Sequence, residues 1–277
     1  MSALYDGKQY LIEKYTIYNV LTEDTDTRDK LPVGAQNSPV LAMGLSDAVP
    51  GFGSLPNVPA EIDAIVRQET KNNQGIYPGK KFLNRSFDFA TLQDNLKGYR
   101  ILHLATHGVF VPDSADKSYI LLGTGEQLTI PQIKTLTGLN NIHLVVLSAC
   151  QTALAGPRQD GIEIASMAYH FLNRGAKAVM ASLWLVDDGS TSLLMQQFYK
   201  NLANGTPEKP MTKAEALRQA QLNLLQGNVS TAANTDPRGG IIVEQIPGSR
   251  PPMTPSNGSK FSHPYYWAPF ILIGNGL

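Results

Sequence analysis

The sequence predicts an α/β protein with a mostly parallel central sheet and helices on both faces. Three observations support this prediction. Strand-like and helix-like segments alternate along most of the 277 residues. The segment "IHLVVLSAC" (142–150) is apolar almost throughout, which is typical of a parallel strand covered on both faces. The helical segment 162–174 has one apolar face, and Gly175 marks its end before the next strand-like run.

The first half of the chain supplies most of the predicted strands. Residues 4–20 are predicted to form a β-hairpin, since Asp6-Gly7 is a tight-turn dipeptide between two strand-like runs. This hairpin belongs to an N-terminal lead-in over residues 1–30. The elements predicted after it are a strand at 38–46, a helix at 58–70, a strand at 80–84, a helix at 89–96, strands at 99–108 and 118–123, a short helix at 130–137 and the strand at 142–150.

The second half continues the alternation with clear helix boundaries. Helix 162–174 is followed by a strand at 176–184, and Ser190 or Thr191 can cap the next helix. Thr212 and Glu215 form a capping-box pattern for a last helix that ends at Gly227. Residues 228–262 are polar and proline-rich, which predicts a flexible insertion loop. A final strand is predicted at 265–274.

Composition excludes several classes of function. The chain has 23 basic and 23 acidic residues and a formal net charge of +0, so we expect no nucleic-acid partner and no attraction to an anionic membrane. No segment is long and apolar enough to predict a membrane helix, and the N-terminus lacks a signal-peptide pattern. The single cysteine excludes an intramolecular disulfide and a multi-cysteine zinc site. These features predict a soluble cytoplasmic protein with a free thiol.

Two reactive side chains follow apolar runs at the ends of predicted strands. His107 comes after "ILHLAT" and Cys150 after "LVVLSA". In parallel sheets, ligands and chemistry gather beyond the carboxyl ends of the strands. If the two strands are neighbours, we expect the imidazole and the thiol to meet at one edge of the sheet.

A paired histidine and cysteine can perform nucleophilic catalysis. The imidazole takes the thiol proton, the thiolate attacks a carbonyl, and the imidazolium then protonates the departing amine. Backbone N–H groups at Gly108 and Cys150 are the candidate donors to the oxyanion. On spacing alone the alternative stays open, because a lone cysteine often serves as a small buried apolar residue.

Five blocks in fixed order resemble the CHAT domain, a caspase-like branch of the cysteine peptidases related to separase. They are "LHLATHG", "VVLSACQTA", "GAKAVMASLWLVDD", "LLMQQFYKNL" and "HPYYWAPFILIG". The resemblance implies a caspase-like three-layer α/β/α sandwich and a His–Cys dyad, with His107 matching the histidine of "ATHG" and Cys150 the cysteine of "LSAC". It also implies one peptidase domain over residues 1–277, excised from a longer protein.

The resemblance extends to a substrate-binding acid. In separase a block similar to "LWLVDD" (183–188) supplies an aspartate to the pocket for the residue before the cleaved bond. Asp188 matches that acid without gaps, and Asp187 is the second choice. A carboxylate in such a pocket selects arginine or lysine. The alternative is that Asp188 caps the helix that begins near Ser190.

Other histidines and motifs favour structural roles. His103 and His107 lack the glutamate and the helix of a zinc peptidase motif, so we expect His103 to be a hydrogen-bonded core residue and predict no metal site. No phosphate-binding glycine loop with lysine and no serine-hydrolase elbow is present. This disfavours a nucleotide-dependent α/β enzyme, and no cofactor is predicted.

The sequence therefore predicts a cysteine endopeptidase that cleaves a protein substrate after a basic residue, most often arginine, through a thioester acyl-enzyme. Besides its substrate, the expected partners are a regulatory or activating protein or the N-terminal domains of the parent chain. The main alternative is a non-catalytic caspase-like module that binds other proteins. Retention of both dyad residues argues against that alternative.

Overall fold

The computed structural model describes residues 1–21, 30–68, 75–111, 114–151, 162–184, 186–228 and 260–277. At positions 115, 149–151 and 162–163 it describes the backbone alone. The predicted insertion loop falls almost entirely outside these ranges. None of the helices within them is both long and apolar enough to cross a membrane.

A mixed sheet forms the centre of the molecule, and its strands run in the order β2-β3-β1-β4-β7-β8-β9. Strands β2, β3, β1, β4, β7 and β8 are parallel, whereas β9 pairs with β8 in the antiparallel direction. The antiparallel pair β5–β6 joins the outer half of β4. The strands are β1 Val40–Gly44, β2 Val66–Arg67, β3 Tyr77–Leu83, β4 Ile101–Val109, β5 Tyr119–Leu121, β6 Gln127–Thr129, β7 Leu144–Gln151, β8 Ala178–Ser182 and β9 Phe270–Gly274.

Helices cover both faces of the sheet because side chains alternate along each central strand. In β4, Ile101 and Ala105 lie in one apolar cluster with α2, α6, α7 and α8, while Leu102 and Leu104 lie in the other with α3, α4 and α5. The helices are α1 Leu11–Lys14, α2 Val58–Ile65, α3 Phe89–Asn95, α4 Ile130–Thr135, α5 Ile162–Asn173, α6 Asp188–Ala203, α7 Lys213–Leu225 and α8 Pro264–Trp267. The predicted three-layer α/β/α sandwich with a mostly parallel sheet is confirmed.

The prediction of an N-terminal hairpin over residues 4–20 is wrong for the second half of that segment. Tyr5 and Tyr10 form one antiparallel bridge around a turn in which Gly7 has φ +95°, as the Asp6-Gly7 pair predicts. After that bridge the chain forms helix α1 instead of a second strand. Arg218 of α7 donates hydrogen bonds to the carbonyls of Ile12 and Glu13 in this helix. Tertiary contacts therefore hold a conformation that the alternation of residues did not predict.

Two other boundaries differ from prediction for local reasons. The helix expected over 58–70 ends at Ile65, and β2 follows directly because Val66 and Arg67 pair with β3. The final strand expected over 265–274 is divided into helix α8 and strand β9. His263 caps α8 by accepting a hydrogen bond from the Tyr265 amide, and Pro264 fits the first helical position.

Candidate active site

Strands β4 and β7 are direct neighbours, and their parallel register pairs the Cα of His107 with the Cα of Cys150. Both residues come at the carboxyl end of their strand, where an α/β sheet concentrates chemistry. The side chain of Cys150 lies outside the described residues. Gly108 is in register with Gln151 of β7 on one side and Ile120 of β5 on the other.

His107 is held by the segment that follows β1. Its Nε2 atom lies 2.9 Å from the carbonyl oxygen of Gly53, and its ring packs against Phe52 with centroids 5.1 Å apart. Because a carbonyl can only accept, Nε2 carries the proton of this hydrogen bond. Among the described residues, Nδ1 is buried and has no hydrogen-bond partner.

The protonation state of His107 follows from its surroundings. The ring is only 4% exposed, and burial lowers its pKa below the usual range, while the hydrogen bond to Gly53 opposes that shift. Near neutral pH the imidazole is therefore neutral, with its lone pair on Nδ1. Such a ring can accept a proton from a neighbouring thiol.

The two predicted substrate-binding acids have different roles in the structure. Asp187 caps α6, since its Oδ1 atom accepts the Ser190 amide at 2.8 Å. Asp188 is the first residue of α6, and its Oδ2 atom accepts two hydrogen bonds from Asn57, from the backbone amide at 2.9 Å and the side-chain amide at 2.8 Å. The capping alternative raised for Asp188 therefore applies to Asp187.

The carboxyl of Asp188 is partly buried, and burial raises its pKa. The hydrogen bonds from Asn57 oppose this shift, whereas the charges of Glu61 and Asp187 add to it. Helix α6 follows β8, which runs parallel to β7, so Asp188 lies toward the same end of the sheet as His107. An arriving cation would favour the ionised form of this group.

Several site residues were missed by sequence reasoning. Phe52, Gly53 and Asn57 all belong to the segment between β1 and α2, which carries no recognisable motif. The available signal was its position, because this segment follows the carboxyl end of a parallel strand. The interpretation of His103 as a hydrogen-bonded core residue is confirmed, since it is fully buried with partners on both ring nitrogens.

Within the described ranges, no group of three or more His, Cys, Asp or Glu side chains is arranged to hold a metal ion. The chemistry that the visible geometry permits is that of a neutral imidazole at a strand end, opposite the backbone of a cysteine. A partly buried carboxylate stands at the start of a nearby helix. This combination defines a candidate cysteine-peptidase site.

The mostly parallel α/β fold is similar to the caspase-like folds of known cysteine peptidases. A family model described as "CHAT domain" matches residues 1–275, so the chain belongs to the CHAT domain family. The complex of the pro- and mature domains of RgpB from Porphyromonas gingivalis superposes with a TM-score of 0.50 at 13% identity, covering 91% of this chain and 49% of that one. A separase–securin complex from Saccharomyces cerevisiae gives a TM-score of 0.44 at 14% identity, with 69% and 11% coverage.

Two curated relatives match about half of the chain. Tetratricopeptide repeat protein 28 of Mus musculus is 27% identical over 137 residues, and its Homo sapiens counterpart is 26% identical over 136 residues. These matches cover 50% and 49% of this chain, and the chain spans only 4% of the length of each relative.

Proposed function

We propose that this chain is a cysteine endopeptidase that cleaves a protein substrate after a basic residue. The observation that carries the proposal is the β4–β7 register, which pairs His107 with Cys150 at the carboxyl ends of adjacent strands. Membership of the CHAT family and the caspase-like fold support the same chemistry.

In the proposed reaction His107 is the base. Its Nε2–H donates to Gly53, which orients the ring and leaves Nδ1 to take the proton from the thiol of Cys150. The sulfur attacks the scissile carbonyl and forms a tetrahedral oxyanion. The amides of Gly108 and Cys150 are the proposed donors to that oxyanion.

Collapse of the oxyanion breaks the C–N bond, and the imidazolium returns its proton to the departing amine. The thioester that remains on Cys150 is then hydrolysed. His107 removes a proton from the attacking water, and the thiol and a new carboxylate are released. The chain's own residues complete this cycle without a metal or a cofactor.

Asp188 is the proposed recognition group for arginine. Asn57 holds its Oδ2 atom through two hydrogen bonds, which fixes the direction of the carboxylate. A guanidinium binds a fixed carboxylate by a charge-assisted and often bidentate contact. Arginine before the cleaved bond is therefore expected to be preferred over lysine, leucine and aspartate.

The specific observation that favours a second function is the match to the two tetratricopeptide repeat proteins, which covers only 4% of the length of each. With this second function, the domain binds other proteins without cleaving them. For the endopeptidase and for the binding module alike, we propose protein partners. These include a regulatory or activating protein or further domains of a longer parent chain.

The test is cleavage of fluorogenic peptides with Arg, Lys, Asp or Leu before the scissile bond by the purified full chain. We expect cleavage after Arg that is abolished in Cys150→Ala and His107→Ala. Asp188→Asn should remove the preference for Arg while Cys150 still reacts with iodoacetamide. Asp187→Asn is the matched control, because asparagine also caps a helix and the neighbouring charge is removed.

Absence of cleavage on every peptide, with Cys150 still alkylated, would overturn the endopeptidase proposal and favour the binding module. If Asp187→Asn loses the preference for Arg and Asp188→Asn keeps it, the recognition role moves to Asp187.

A further inference from the structure

A buried polar cluster lies beneath the proposed catalytic pair. Glu61 of α2 is 1% exposed, His103 of β4 is 0% exposed and Ser148 of β7 is 4% exposed. The Oε1 atom of Glu61 accepts the hydroxyl of Ser148 at 2.8 Å and lies 2.9 Å from Nε2 of His103. One carboxylate oxygen therefore joins the two strands that carry His107 and Cys150 near their carboxyl ends.

The spacing along both strands connects this cluster to the pair. His103 precedes His107 by four residues, and Ser148 precedes Cys150 by two residues. At ~3.3 Å per residue, His103 lies about 13 Å below His107, and Ser148 lies about 7 Å below Cys150, along their strands. A shift of one strand against the other would have to break a hydrogen bond to Glu61.

Stability alone does not explain a carboxyl in this place. Burying a charged group is costly, and an apolar side chain of similar size often stabilises a core equally well or better. The other ring nitrogen of His103 also has a hydrogen-bond partner, because Nδ1 lies 3.1 Å from the hydroxyl of Tyr199. A network in which every member has a partner constrains geometry more narrowly than apolar packing does.

We propose that Glu61 is a positioning residue that keeps His107 and Cys150 in reactive register through His103 and Ser148. This inference rests on the proposed function, since it assigns a purpose to the register of that pair. Helix α2 also carries Asn57 at its N-terminus, one turn before Glu61, and Asn57 holds Asp188. The same helix therefore links the proposed pair to the proposed recognition group.

The test is the pH dependence of Cys150 alkylation by iodoacetamide, which is specific because the chain has one cysteine. Pairing with His107 is expected to place the alkylation midpoint below that of a free thiol. We expect His107→Ala to raise the midpoint and Glu61→Leu to raise it toward the same value, with roughly tenfold slower alkylation at pH 7. Glu61→Gln keeps a hydrogen-bond acceptor and should recover part of the rate.

The direction of this shift separates positioning from a direct charge effect. An anionic Glu61 by itself would raise the pKa of a nearby thiol, so removing only its charge would lower the midpoint. A rise can therefore come only from loss of the productive geometry. The matched control is Tyr77→Phe, which removes a buried hydroxyl that donates to the carbonyl of Tyr199 at 3.4 Å and is not a hydrogen-bond partner of His103 or Ser148.

Two outcomes are distinguishable. If His107→Ala moves the midpoint while folded Glu61→Leu and Glu61→Gln leave it unchanged, the positioning role is wrong and the catalytic pair stands. If His107→Ala also leaves it unchanged, the pair itself is wrong and the inference falls with it. Should Glu61→Leu not fold, Ser148→Ala provides the second measurement, because it breaks the link to β7 alone.

Discussion

At the scale of single residues, Asn57 has the most specific contacts with a proposed site group. It gives two N–H donors to one carboxylate oxygen of Asp188. Hydrogen bonds of this kind favour the charged form of the acceptor, and they oppose the rise in the pKa of Asp188 that burial causes. Asn57 is therefore expected to matter for recognition of a cationic side chain.

We predict that Asn57→Ala lowers kcat/KM for arginine peptides by roughly tenfold, the effect of losing one charge-assisted hydrogen bond. The loss should be smaller at higher pH, because the pKa of Asp188 rises further without the amide donor and more of the group then ionises. Steady-state kinetics between pH 6 and pH 9 measure this.

Asn95→Ala is the matched control for Asn57→Ala, since Asn95 donates within α3 to the carbonyl of Thr91 on the opposite face of the sheet. An unchanged preference for arginine in Asn57→Ala, beside a lost preference in Asp188→Asn, would show that Asn57 does not position this acid.

At the scale of elements, the close approach of α2 to β1 depends on Gly44. A Cβ atom at this position would lie 2.6 Å from Cγ1 of Val58 and 2.8 Å from Cδ1 of Ile62, so these side chains would have to shift. We expect the helix that carries both of them to move as well. Because α2 carries both Asn57 and Glu61, its displacement affects more than packing.

We predict that Gly44→Ala lowers the free energy of unfolding by roughly 1–3 kcal/mol, as overpacking of a core does. It should also raise the midpoint of Cys150 alkylation, since Glu61 moves with the helix. Urea unfolding and the alkylation assay measure these effects. Gly53→Ala is the control for stability, because its added Cβ would meet no heavy atom within 4 Å. A destabilised Gly44→Ala with an unchanged midpoint would contradict the role given to α2.

At the scale of the whole molecule, the buried imidazole of His107 makes stability depend on pH. Burial lowers its pKa in the folded state, whereas the unfolded chain binds the proton with a pKa near ~6.5. The unfolded state therefore binds more protons in this pH range. Lowering the pH favours the unfolded state, so the folded protein becomes less stable.

We predict that the free energy of unfolding decreases between pH 7 and pH 5, and that this dependence is weaker in His107→Ala. One histidine contributes a slope of at most about 1.4 kcal/mol per pH unit. Urea titrations at several pH values measure the slope. Equal slopes for wild type and His107→Ala would show that His107 does not cause the pH dependence of the free energy of unfolding.

Much of this architecture was readable from local patterns. The apolar strand 142–150 and the helix 162–174 correspond to β7 and α5, and Thr212 caps α7 by accepting the Glu215 amide as expected. The prediction of a hairpin at 4–20 failed because contacts from α7 decide the conformation of residues 11–14. The division of the last strand into α8 and β9 depended on a cap that period-two alternation does not reveal.

The sequence by itself determined the fold class, the family and the two strand ends at which a histidine and a cysteine occur, because these depend on residue type and periodicity. Only the tertiary structure decided which other residues contact the elements of the candidate site. Gly53, Asn57 and Glu61 meet β4, β7 and α6 across long chain separations. A backbone carbonyl and a buried hydrogen bond leave no periodic signal in a sequence. Their partners become known only when the sheet brings the elements together.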